Sequence, residues 1–329
     1  MIGIFTKILI LFVILVIGYI AAKFGWLSRE IRTGLSNILL HVATPCVILQ
    51  SFQEKGGAEI WRSMGVSAAV LTLFMLGGLA VCWALLRRES GPKRATLAYG
   101  TSFGNVGYMG IPVLGAFVGA EGMIYVSVAI AIFNLLSWTV GVCVYDKNAF
   151  RPKKLLTFPC LYAVAIGLVL FAFQIRMPAL LDGVTEMIGN TCSPLSMMMI
   201  GAILSENSWS EFLKDKKVMI SSAVRLLAIP ALTLGLCALA HIDGMMRTVL
   251  VLLNGMPSAV NTVLLSLSFH GDEALGSRMV ALSTLLYLPA TLLWMKRQGR
   301  KFFRLLRTRR GRAINPRRKT ERPKRRPNL

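Results

Sequence analysis

The chain has 329 residues, 55% of them hydrophobic, with 15 acidic residues against 37 lysines and arginines and a formal net charge of +22. A soluble domain would bury so much apolar surface poorly, which excludes most cytosolic enzyme classes. The charge does not mark a nucleic-acid partner either: 16 of the basic residues lie between Lys296 and Leu329, beside the single acid Glu321, and a basic segment next to membrane spans suits anionic lipid head groups.

Runs long enough to cross a hydrocarbon core, roughly 20 residues each, fall near 2–22, 33–52, 64–86, 96–118, 122–145, 156–174, 180–204, 218–240, 246–269 and 274–295. The expectation is therefore an all-α integral membrane protein with ten transmembrane helices. The first run follows Lys7 and ends in Ala21 and Ala22, as a signal peptide would. It is longer than the roughly 7–15 apolar residues of a signal core, which favours a retained span. Pro45 interrupts the second run and Pro194 the seventh. Connections are short, so no soluble catalytic domain fits within the bundle.

Loop charges set the expected orientation. With the N-terminus outside, the inner loops carry Lys23, Arg29 and Arg32, then Arg87, Arg88, Lys93 and Arg94, then Lys147, Arg151, Lys153 and Lys154, then Lys214, Lys216 and Lys217, and Arg278. The outer side before the tail has only Lys7, Lys55, Arg62, Arg176 and Arg247, as the positive-inside rule favours. The basic tail runs against the rule, since ten spans place it outside.

The fourth and ninth runs carry the strongest signal. GNVGYMGIP spans Gly104 to Pro112, and NGMPSAVN spans Asn254 to Asn261. Asn, Gly and Pro in the middle of an apolar run unpair backbone groups, which hydrocarbon tolerates only where the chain is enclosed by protein or lines a polar cavity. Two such breaks in corresponding positions of two halves point to the binding site of an inverted-repeat carrier. Candidate substrate-binding residues are Asn105, Gly107, Pro112, Asn254, Pro257 and Asn261. Arg225 in the eighth run is expected to snorkel to the inner surface, with a role as charge partner to substrate as the alternative.

The two halves follow one order: a plain span, a Pro-interrupted span, a plain span, a broken span, and a closing span after an acidic turn, GAEG at Gly119–Gly122 and GDEALG at Gly271–Gly276. An odd number of spans per repeat forces opposite topologies. The expected organisation is a five-helix repeat over 1–145, its inverted counterpart over 146–297, and a basic disordered tail over 298–329.

Cys46, Cys82, Cys143, Cys160, Cys192 and Cys237 all fall inside expected spans, without CxxC pairs or histidines at metal-ligand spacing, and read as small packing residues. No metal and no cofactor is expected. His41 alone could serve a proton relay.

The segment GNVGYMGIPVLGAF, with Asn105 seven residues before Pro112, resembles the fourth span of the auxin efflux carrier family, whose bacterial members include malonate and malate carriers. NGMPSAVNT and the closing helix with Pro289 look like its ninth and tenth spans, and SPLSMMMIGAIL at Ser193–Leu204 is similar to its seventh. The resemblance covers roughly residues 1–297. It implies both termini outside, a scaffold of spans 1, 2, 6 and 7 broken at Pro45 and Pro194, a mobile core of the other six, a substrate site where spans 4 and 9 cross, and elevator-like alternating access. The basic tail departs from the family's usual short ending.

The residues favour an anion independently. Glu121, Glu186, Glu206, Asp272 and Glu273 sit at span ends and none in a span centre. Cation carriers depend on buried carboxylates, whereas a broken helix offers the positive end of its dipole and free N–H groups. The expected function is secondary active or facilitative transport of small organic anions, carboxylates such as malonate, malate or auxin-like acids. Energy would come from proton or Na⁺ coupling, the potential or the substrate gradient, since no Walker motif is present. The expected location is the cell membrane, with a homodimer as a further expectation. A cation/proton antiporter of similar inverted-repeat fold is the alternative. An intramembrane enzyme would need a catalytic constellation that the spans lack, and a sensor without flux is a third reading.

Overall fold

The computed structural model describes residues 2–53, 58–148, 159–205 and 215–314. Lys55, Arg151, Lys153, Lys154, Glu206, Lys214 and the segment 315–329 lie outside them. All described elements are helical: α1 (Ile2–Lys23), α2 (Arg29–Ile38), α3 (Thr44–Ser51), α4 (Ala58–Leu85), α5 (Gly91–Ser102), α6 (Ile111–Leu136), α7 (Val142–Tyr145), α8 (Pro159–Ala172), α9 (Ala179–Asn190), α10 (Cys192–Leu204), α11 (Lys216–Ala223), α12 (Ile229–Leu239), α13 (Gly244–Asn254), α14 (Asn261–Ser268) and α15 (Glu273–Ile314). Six stretches are long and apolar enough to cross a membrane: Glu30–Ser51, Trp61–Leu85, Gly122–Tyr145, Ala179–Leu204, Lys216–Leu239 and Glu273–Trp294. The protein is a multi-pass membrane protein. Of the other four expected spans, the first is the 22-residue helix α1 and the sixth falls on α8, while the fourth and ninth appear as shorter apolar pieces because the chain unwinds where Asn, Gly and Pro cluster.

Three prolines within the apolar stretches share one local distortion, whereas Pro289 sits inside α15 without it. A proline inside a helix removes a backbone donor and pushes its ring against the carbonyl four residues earlier. In this fold the helix answers with a widened π-turn just upstream: Leu39–Ala43 before Pro45, Val106–Gly110 before Pro112, and Val224–Ala228 before Pro230. Pro230 leaves the carbonyl of Leu226 without its helical donor, and the indole N–H of Trp294 on α15 supplies one at 2.8 Å. Replacing Trp294 with phenylalanine keeps most of the buried ring but orphans that carbonyl. The expected cost is about 1–3 kcal/mol, read as a lower Tm of the detergent-purified protein, with a smaller drop than that caused by alanine.

The helices sort into two packed groups. One contains α1, α3, α8, α9 and α10; the other contains α4, α5, α6 and α11 to α15, with α6 lying between them. Within the first group α1 and α10 touch backbone to backbone. A Cβ on Gly18 would lie 2.1 Å from the carbonyl oxygen of Met198, and one on Gly201 would lie 1.9 Å from that of Leu15.

Polar contacts mark two opposite faces. On one, Lys217 pairs with Glu89 at 2.6 Å, Arg278 with Asp215 at 3.5 Å, and the Asp272 N–H donates to the Thr96 hydroxyl at 3.0 Å. At the other end of α4 and α9, the Met177 N–H donates to Gln53 and the Gln50 amide donates to Asp182.

Two boundaries differ from expectation. The GAEG segment is not a turn, because α6 runs through it without a break. Ala and Glu are strong helix formers, whereas in GDEALG the Asp272 carboxylate accepts from the Leu275 N–H at 3.0 Å and starts a new helix. The closing helix also passes the expected end at 297 and continues to Ile314, so residues 298–314 are helical rather than irregular.

Candidate functional site

The two interrupted segments cross each other. Gly104 and Ser258 form an antiparallel bridge, in which the Asn105 N–H donates to the Pro257 carbonyl at 2.8 Å and the Ala259 N–H donates to the Phe103 carbonyl at 3.0 Å. Backbone groups that unwinding would otherwise orphan are thus paired across the two breaks, which makes unwound chain tolerable at this depth. A third contact fixes the second break to α15: the Ser258 N–H donates to the Ser283 hydroxyl at 3.0 Å.

Four half-helix ends meet here. The ends of α5 and α13 present carbonyls, the negative ends of their dipoles, and the stretches beginning at Val106 and Asn261 present the positive ends. Arg225 occupies the negative side. Its Nε donates to the Met256 carbonyl at 2.8 Å and its Nη1 to the Ser102 carbonyl at 2.9 Å, with the Thr101 carbonyl at 3.5 Å. The side chain is 1% exposed. It sits inside the π-turn that Pro230 imposes, and Gly104 is what makes room for it, since a Cβ there would lie 2.0 Å from Nη2. Arg225 therefore does not snorkel to the surface, and its partners are both breaks of the crossing. The arginine alone could not reveal this; Pro230, five residues on, was the available signal.

On the positive side lies a small cavity lined by Thr44, Asn105, Gly107, Tyr108, Ile130, Phe133, Asn134, Val260 and Asn261. Asn105 caps its own helix, with Oδ1 accepting from the Tyr108 N–H at 3.3 Å. Its Nδ2 is buried without a partner. Asn261 opens α14 and faces the Tyr99 hydroxyl, which also bonds Ser137 at 2.6 Å. Asn134 donates to the Ile130 carbonyl at 2.9 Å, and the Tyr108 hydroxyl bonds Ser36 at 2.7 Å. Thr44 brings the Pro45 break to the cavity and lies 3.8 Å from Cys192 at the start of α10, so the Pro45 and Pro194 interruptions meet beside it.

Of the six candidate substrate-binding residues, Asn105, Gly107 and Asn261 line the cavity. Pro257 contributes its carbonyl to the crossing, and Pro112 is buried at the second position of α6. Asn254 closes α13, buried and with its amide nitrogen unpaired, away from the cavity wall. Sequence reading did not single out Thr44, Tyr108, Ile130, Phe133, Asn134 or Val260; Tyr108 and Val260 lie within the two broken segments themselves, whereas Thr44 and the three α6 residues come from elsewhere in the chain and no local pattern marks them. His41 is exposed on the helix surface, bonded to the Asn37 carbonyl at 3.0 Å, and does not line the cavity. Among the described residues no cluster of His, Cys, Asp or Glu could hold a metal.

A broken-helix membrane protein with such a crossing has the form of a carrier, and comparison with known proteins agrees. The sequence model of the membrane transport protein family matches residues 3–151 and 144–295. The chain belongs to that family, the auxin efflux carriers. It is 25% identical over 292 residues to an uncharacterized transporter of Methanothermobacter thermautotrophicus and 26% identical over 311 residues to one of Methanocaldococcus jannaschii. Each alignment covers 87% of this chain and 96% of the relative.

Proposed function

We infer that the protein is a secondary or facilitative carrier of small organic anions, with carboxylates bound at the cavity beside the crossing. The observation that carries this reading is the Asn105 amide: buried, 2% exposed, its Nδ2 without a partner, at the positive end of a helix and on the cavity wall. A buried donor left unpaired costs about 1–3 kcal/mol, and an anion's oxygen would recover that. Asn261 stands at the opposing positive end. In this reading the group containing α4 to α6 and α11 to α15 moves as the core against a scaffold of α1 to α3 and α8 to α10, with the N-terminus outside the cell membrane.

The antiporter alternative fares worse. It needs a carboxylate in the transport path, and the buried polar residues among those described include no Asp or Glu. Na⁺ held by unwound carbonyls also loses support, because Arg225 already occupies those of Ser102 and Met256.

The test is uptake of malonate, malate, succinate and indole-3-acetate by purified protein in proteoliposomes. Asn105→Asp keeps the oxygen that caps the helix but replaces the free donor with a negative charge. It is expected to keep the helix cap and lose at least tenfold in uptake of whichever acid the wild type carries, with Tm measured alongside to separate folding from flux, and Asn105→Ala losing both cap and flux. Uptake unchanged in Asn105→Asp would move the site elsewhere.

A further inference from the structure

Arg225 carries a charge for which the described residues offer no acidic partner. It is fully buried, held by three carbonyls from the ends of two different half-helices, and seated against a glycine that a methyl group would close. Burying an unpaired cation is expensive, and neutral residues could hold two helix ends together at lower cost. A fixed cation beside an anion site has a further use. We propose that Arg225 is the carrier's internal counter-charge: it travels with the core, so that a bound monocarboxylate crosses the membrane field as a neutral complex and the voltage acts on the return of the empty site. This rests on the carrier reading above.

The argument follows from where the charge is tied. Arg225 lies between α11 and α12 and bonds carbonyls at the ends of α5 and α13, all within one packed group, while none of its bonds reaches α1, α3, α8, α9 or α10. Any movement of that group across the membrane therefore moves the guanidinium with the crossing. Its bonds go to the negative helix ends and leave the positive ends facing the cavity, so it offsets substrate charge without filling the site. The empty core then carries about one positive charge, the core loaded with a monoanion carries none, and the core loaded with a dianion carries one negative charge. The membrane potential acts directly on that uncompensated charge and so biases the empty carrier to one side.

Voltage-step recording of charge movement, first with no carboxylate present, tests this independently of substrate identity. Wild type and Arg225→Lys are expected to show a transient of about one positive elementary charge per molecule, and Arg225→Met none. Saturating indole-3-acetate should suppress the wild-type transient, and malonate, if carried, should invert its sign. No transient from wild type that does transport a carboxylate would overturn the proposal while leaving the carrier reading intact. A transient that persists unchanged in Arg225→Met would overturn it as well. A transient present in wild type and absent in Arg225→Met, with none of the four acids transported, would support the moving charge and sink the carboxylate reading instead. Should Arg225→Met not fold, wild type and Arg225→Lys still decide, since the empty-carrier transient and its suppression by a monoanion are required of both.

Discussion

Gly104→Ala is expected to reduce transport at least tenfold while changing one methyl group that touches no substrate. The added Cβ would lie 2.0 Å from Nη2 of Arg225 and 3.3 Å from the Met256 side chain. The obstruction is a buried guanidinium held by three carbonyls, so it cannot swing aside as an exposed arginine would. Either Arg225 gives up its bonds, at about 1.5–3 kcal/mol for each hydrogen bond to a charged group, or the bridge between Gly104 and Ser258 opens. Both outcomes displace Asn105, whose N–H is the next rung of that crossing. The check is uptake in proteoliposomes beside thermal unfolding in detergent. A variant with wild-type flux and wild-type Tm would show that the crossing is looser than its geometry indicates. Gly107→Ala, with open space at its Cβ, serves as the companion substitution and should keep its Tm.

The second large effect concerns the other helical group. Gly201→Ala is expected to separate α1 from α10, because the new methyl group would meet the Leu15 carbonyl oxygen at 1.9 Å and the Tyr19 nitrogen at 2.8 Å. These are backbone atoms and have no rotamer to change. Small residues drive helix association in lipid by letting backbones approach, so the loss falls on packing itself. A destabilisation of about 1–3 kcal/mol or more follows from overpacking of this kind, and Gly18→Ala, which would meet the Met198 carbonyl at 2.1 Å, should behave alike. Gly65→Ala and Gly77→Ala on α4 face open space and should be neutral or slightly stabilising. Thermal unfolding of the four variants side by side measures the contrast. Equal Tm values across them would mean that α1 and α10 do not depend on this contact.

The sequence was most legible where composition opposes the membrane. Asn105, Pro112, Asn254 and Pro257 interrupt apolar runs, and an interruption in hydrocarbon can be detected from one segment alone because lipid offers no compensating partner. The same logic separated spans from connectors and identified a membrane protein, and the family follows from motifs in those broken segments. Legibility ended where an outcome depended on a partner distant in the chain. GAEG and GDEALG look alike as strings, yet α6 runs unbroken through the first, while at the second the Asp272 carboxylate caps the start of α15. Arg225 looked like a snorkelling residue because it lies only one or two turns into the eighth span; its three acceptors are about 30 and 120 residues away.

By itself, then, the sequence determined that this chain is helical, lies in a membrane and is broken in two places, since each of those follows from the local balance of apolar side chains against unpaired backbone groups. Only the tertiary structure decided that the breaks cross at Gly104 and Ser258, that a buried arginine holds their negative ends, and that Thr44, Tyr108 and Asn134 join Asn105 and Asn261 around one cavity. The physical reason is that a backbone group left unpaired by a local break takes whatever donor or acceptor the packed bundle brings near it, and no pattern within one segment specifies which that will be.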